Sequence, residues 1–135
     1  MKVWALADPH LSFGTPNKSM DVFGEKWHDH EAKIVQNCQE LVSPEDLLLI
    51  AGDISWAKHI EEVKPDLEWV ASLPGTKVIS KGNHDYWWPY NKKIEAILPP
   101  SVHFVNKSAI DIGDFSRFEH LLRIANIRRC DPFRR

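Results

Sequence analysis

Three short apolar runs each end directly on side chains able to hold a metal ion. Residues 2–7 lead into Asp8-Pro9-His10, residues 47–51 into Gly52-Asp53, and residues 77–80 into Gly82-Asn83-His84-Asp85. The runs lack polar alternation, so each reads as a strand buried on both faces. Helical spacings separate them. Ile34, Val35, Cys38, Leu41 and Val42 recur at helical intervals within about 27–42, and Ser43-Pro44 ends that pattern. A weaker pattern of Ile60, Val63, Leu67, Val70 and Ala71 follows; Pro65 either splits it or starts its second part, and Pro74-Gly75 stops it. Strand–helix–strand–helix–strand is a βαβ pattern, so an α/β fold with its first three strands parallel is expected. A short helix over 91–98 and strands over 102–105 and 109–112 complete the reading. Residues 11–26, with Gly14, Pro16 and Gly24, read as a long loop and a candidate lid.

Parallel strands all end on one side of a sheet, and ligands bind outside those carboxyl ends. Asp8, His10, Asp53, Asn83, His84 and Asp85 therefore converge on one edge. Taken singly, each segment is an ordinary turn after a strand; taken together, the three point to a site. Asp8 and Asp53 would be carboxylates at short range, which repel unless a cation lies between them. Carboxylate, imidazole and amide oxygen without thiolate suit Mn, Fe or Zn better than a soft metal. Other polar or aromatic residues have plainer readings. His28 and His30 flank Asp29 where a helix starts, so they are read as structural with Asp29 near the cap. His59 is read as a surface residue. Trp87, Trp88 and Tyr90 are read as core or hydrophobic edge, with a wall of a substrate cleft as the functional alternative. The same choice applies to Trp56.

A length of 135 residues suggests one domain, and 43% apolar residues with six Trp can fill a core. No apolar run approaches the roughly 20 residues that span a bilayer. The apolar stretch before Asp8 is too short for a signal peptide, which makes a cytoplasmic location and no membrane partner the expectation. Cys38 and Cys130 have no metal-type spacing and suggest no disulfide framework. The basic residues divide sharply. All eleven Lys lie at or before Lys107, and all six Arg lie from Arg117 onward. Phe118, Leu121, Leu122 and Ala125 have helical spacing among those Arg, as in a basic amphipathic helix. The net charge of −2 for the whole chain argues against nucleic acid as the partner.

The motifs at 8–10, 52–53 and 82–85 resemble those of the calcineurin-like metallophosphoesterases, which carry Asp-x-His, Gly-Asp and Gly-Asn-His-Asp/Glu in this order. The stretches Gly52-Asp53-Ile54-Ser55-Trp56 and Gly82-Asn83-His84-Asp85-Tyr86-Trp87-Trp88 look most like a bacterial branch of phosphohydrolases. The resemblance implies the first half of a four-layer α/β/β/α sandwich. It also implies two divalent metal ions and phosphoester hydrolysis by a bridging hydroxide. Asp8 and His10 would bind the first metal, Asp53 would bridge both, and Asn83 would bind the second. His84 would sit by the phosphate as general acid or charge stabiliser, and Asp85 would orient it. The substrate would be a small phosphoester or a nucleotide. Help from a general acid is worth only about 10²–10⁴-fold. Enzymes accelerate phosphate-monoester hydrolysis by up to about 10²¹-fold. The metals must carry most of that.

The family pattern also needs a lone His and a Gly-His-x-His motif later in the chain. After Asp85 only His103 and His120 remain. Residues 1–112 are therefore expected to be a partial domain. Residues 113–135 would be an Arg-rich tail, read as frameshifted or foreign from about residue 114. A site short of ligands should hold metal poorly, so the alternative is an inactive remnant or binding module. The sheet face that a second sheet would cover is expected to be open.

Overall fold

The computed structural model describes residues 1–89, 91–112 and 128–129. Tyr90, His120 and the helical spacing at 118–125 lie outside the described residues. Strands β1 (Val3–Leu6), β2 (Leu47–Ala51), β3 (Thr76–Ser80) and β4 (Val102–Val105) alternate with helices α1 (His30–Leu41), α2 (Ile60–Ser72) and α3 (Asn91–Ile97). The two-residue strand β5 (Arg128–Arg129) completes the sheet, whose order is β4-β3-β2-β1-β5 with every pairing parallel.

From β1 to β4 the chain moves one strand over each time, in the same direction. Right-handed crossovers then put all three helices on one face. Trp4, Leu6, Leu48, Ile50 and Ile79 of the sheet meet Ile34 and Cys38 of α1, Val63, Leu67 and Val70 of α2, and Ile94 of α3. Each buried Leu or Ile contributes about 1.5–3 kcal/mol. The alternate residues Val3, Leu47, Leu49, Val78 and Val105 form a second cluster, with Ile110 and Ile112 packed against it. All five are buried. That corrects the expectation of an open face: Ile110 and Ile112, beyond β4, pack over it. A parallel sheet with helices on one side is the N-terminal half of the sandwich that the resemblance implies.

Four local expectations need correction. Helix α1 begins at His30 rather than Trp27, because Asp29 takes a left-handed φ of 49° and cannot continue a right-handed helix. Asp29 holds the cap position but makes no side-chain cap bond. Pro65 neither splits α2 nor starts a second helix. A capping box between His59 and Glu62 and the buried face of Val63, Leu67 and Val70 carry the helix through it. Residues 109–112 form no strand: Lys107 takes a φ of 54° and turns the chain after β4, leaving a single bridge residue at Ile112. The 11–26 segment is not structureless. It contains the 3-10 turns Pro16–Lys18, Met20–Phe23 and Glu25–Trp27, with Met20 buried.

Lys77 lies buried in β3 and still finds partners. Its Nζ donates to the Ala71 and Leu73 carbonyls at 3.1 and 2.7 Å, satisfying orphan acceptors at the end of α2. Burial pushes its pKa down.

Candidate metal centre

Because β1, β2 and β3 are parallel and in register, the segments following them leave the sheet side by side. The first two continue to pair past the strands. His10 N–H donates to the Asp53 carbonyl at 3.0 Å, Leu11 N–H to Ile54 at 2.8 Å, and Trp56 N–H to Leu11 at 3.0 Å. The third segment crosses in close contact. A Cβ added at Gly82 would lie 2.1 Å from Asp53 Oδ1, and one at Gly52 would lie 2.8 Å from Gly82 Cα, while Gly52 itself has a φ of 78°. Glycine is required at both positions.

This packing brings Asp8, His10 and Asp53 together, each offering one ligand atom, with all three atoms within 4.8 Å of one another. The same three residues have left-handed backbones, with φ of 51°, 45° and 47°. The left-handed conformation costs roughly 1–2 kcal/mol per residue for most side chains, and strain of this kind clusters where a site needs it. Among the described residues, Nδ1 of His10 is buried with no hydrogen-bond partner, and Nε2 stands 3.9 Å from Asp53 Oδ2, too far for a hydrogen bond. Burial pushes the His10 pKa down, against the pull of Asp53 and Asp8, which favours the neutral ring. Two clustered carboxylates beside an under-satisfied imidazole are a donor set that fits a divalent metal.

His84 is held by Asp53. Its backbone N–H donates to Asp53 Oδ1 and its Nδ1 lies on Oδ2, both at 2.9 Å. Burial pushes the Asp53 carboxyl up, but these two bonds and the nearby His charges bring it below its ordinary value. The Asp85 carboxylate, expected to orient His84, bonds donors on both neighbouring loops. Its Oδ1 accepts from Ile54 N, Ser55 N and Trp87 Nε1, and its Oδ2 accepts from Gly82 N. Fully buried, it staples the Gly52-Asp53 loop to the Gly82-Asn83 loop. Burial raises its pKa, against those four donors. Asn83 lies exposed on the same loop, between Gly82 and His84.

Trp56 stacks on His10 at 4.9 Å with an interplanar angle of 17°, and its centroid is 5.0 Å from that of His84. It belongs to the site's wall. Trp87 and Trp88 do not line a cleft, because they are buried in the core. His103 lines a separate cavity of about 520 Å³ beside β4.

Two residues of the site's support escaped the sequence reading. His30, read there only as part of a helix start, is 2% exposed and its Nε2 lies 2.7 Å from the Pro9 carbonyl. Asp66 is fully buried and accepts from Ser55 Oγ at 2.5 Å and from Phe13 N at 2.9 Å, tying α2 to both loops. Burial pushes its carboxyl up to about 6, against those two bonds. One signal was available for each. His30 continues the apolar spacing of Ile34 and Cys38, and Asp66 falls within that of Val63, Leu67 and Val70.

The family described as calcineurin-like phosphoesterase matches residues 1–129. The Gene 66 protein of Mycobacterium phage D29 is 31% identical over 83 residues, covering 62% of this chain and 40% of that protein. A crystal structure of a protein of unknown function from Aquifex aeolicus aligns with a TM-score of 0.47 and 22% identity, covering 75% of this chain and 50% of that one. The chain thus spans half or less of the length of these relatives. Among the described residues no helix is long and apolar enough to cross a membrane.

Proposed function

Because the chain belongs to the calcineurin-like phosphoesterases, we propose that its strand-end cluster is the first half of a dinuclear centre for phosphoester hydrolysis. The observation that carries this reading is the convergence of Asp8, His10 and Asp53 within 4.8 Å, each on a left-handed backbone. Asp8 and His10 would hold the first divalent ion, with Asp53 and Asn83 as further donors for a second; Mn, Fe or Zn would suit them. Bound there, such a pair polarises phosphoryl oxygens and makes a water acidic enough to act as nucleophile near neutral pH.

The chain's own groups do the rest. Asp53 fixes the His84 ring through Nδ1, which leaves Nε2 to face a phosphate or leaving-group oxygen. Both oxygens of Asp53 are engaged by His84, so taking up a cation means sharing or releasing those bonds. Asp85 keeps the two loops in contact and so sets the distance between Asp53 and Asn83. The substrate is a small phosphoester or a nucleotide.

Calorimetric titration with Mn²⁺ tests the reading. The chain is expected to bind Mn²⁺, and Asp8→Asn and Asp53→Asn to abolish binding. An unaltered chain that binds no better than Asp53→Asn would identify it instead as a remnant without a metal centre. Lacking the later His ligands of the family pattern, the 135-residue chain is expected to turn over bis(p-nitrophenyl) phosphate barely or not at all. Robust turnover would contradict that ligand count.

A further inference from the structure

The Asp8-Pro9-His10 turn is unusual in having left-handed residues on both sides of its proline, with φ of 51° at Asp8 and 45° at His10. A turn strained twice within three residues needs an external hold. The described side-chain hydrogen bond to its middle comes from His30, whose Nε2 lies 2.7 Å from the Pro9 carbonyl oxygen. The other ring nitrogen, Nδ1, lies 3.0 Å from the Trp27 carbonyl. The ring is 2% exposed and opens α1, the helix whose Ile34 and Cys38 anchor it to the sheet. Trp27 in turn meets the His10 ring edge-on at 6.1 Å and the His30 ring at 5.2 Å.

We infer that His30 is a positioning residue for the metal centre: by donating from Nε2 to the Pro9 carbonyl it holds the turn that aims Asp8 and His10 at one cation. This inference rests on the metal-centre reading above. Residues that orient metal ligands from behind typically set metal affinity by about 10–100-fold. Among the described residues no such group serves His10 Nδ1, which is buried without a partner there. The Pro9 carbonyl, between the two ligands, is where a buried side chain does take hold of the turn.

The two ring nitrogens can be tested separately. A Gln amide nitrogen reaches roughly as far as Nε2, and an Asn amide nitrogen roughly as far as Nδ1. His30→Gln can keep a donor on the Pro9 carbonyl, whereas His30→Asn can place its amide only beside Trp27. Mn²⁺ affinity is read by calorimetry, with circular dichroism and urea midpoints confirming that each variant is folded. The expectation is that His30→Gln stays within about threefold of the unaltered chain while His30→Asn binds at least about tenfold more weakly. Equal affinities in the two variants, or the reverse order, overturn the inference.

A second readout uses the unaltered chain and so does not depend on either variant folding. Coupling between sites is reciprocal, so Zn²⁺ binding should slow solvent exchange of the His30 Nε2 proton, followed by NMR. Exchange unaffected by saturating Zn²⁺ overturns the inference as well. If the unaltered chain binds neither ion, the metal-centre reading fails first, which distinguishes the two failures.

Discussion

Replacing Asp85 by Asn separates a clamp from a catalytic partner, and the cost can be worked from four hydrogen bonds. Oδ1 accepts from Ile54 N at 2.8 Å, Ser55 N at 3.2 Å and Trp87 Nε1 at 3.1 Å, and Oδ2 accepts from Gly82 N at 2.7 Å. The Asn carbonyl can stand in for Oδ1 and keep three of these bonds. Its NH₂ then faces the Gly82 N–H, donor against donor, on a side chain that is itself fully buried. One orphaned buried donor costs about 1–3 kcal/mol. Relief from burying a charge offsets the lost charge assistance of the other three bonds. The expected loss for Asp85→Asn is therefore about 1–3 kcal/mol. Asp85→Ala strands all four donors and should lose at least about 3–5 kcal/mol, a large share of the roughly 5–15 kcal/mol available to a domain. Urea unfolding followed by Trp fluorescence measures both, since Trp87 packs directly on the clamp. Asp85→Ala matching the unaltered chain to within about 0.5 kcal/mol would refute the clamp, because it would mean the four donors are satisfied elsewhere.

Gly82→Ala places a methyl 2.1 Å from Asp53 Oδ1 and 2.2 Å from Asp53 N, so it should push the two loops apart; loss of Mn²⁺ binding in calorimetry and a lowered urea midpoint are expected together. Asp66 gives a pH signature. Its carboxyl is pushed up to about 6 in the fold from an ordinary 3.8, so between those values the native state keeps a proton that the unfolded chain has released. Its contribution to stability therefore falls as pH rises through that window. The deficit is complete above about pH 6 and reaches at most about 3 kcal/mol. Asp66→Asn should gain on the unaltered chain by up to that amount between pH 4 and pH 7, and a difference in unfolding free energy that stays flat with pH would remove the effect. Trp56→Leu removes the plane stacked on His10 and should weaken Mn²⁺ binding more than it lowers the urea midpoint; the reverse order would make Trp56 a packing residue only.

Local pattern was enough to set the frame of this protein. Uninterrupted apolar runs with helical spacings between them dictate parallel strands, and parallel strands dictate that Asp8, Asp53 and Asn83 leave the sheet along one edge. That follows from chain direction alone, which is why their shared edge is legible in the sequence. Only the tertiary structure decided what each donor touches. The left-handed turns at Asp8, His10 and Asp53 have no signature in side-chain periodicity. Distant partners of Asp85, His84 and His30 lie 21 to 31 residues away in the chain, on loops whose path depends on how Gly52 meets Gly82. Burial likewise turned Trp87 and Trp88 into core and Asp66 into a buried acid, because whether a side chain meets solvent depends on what packs over it.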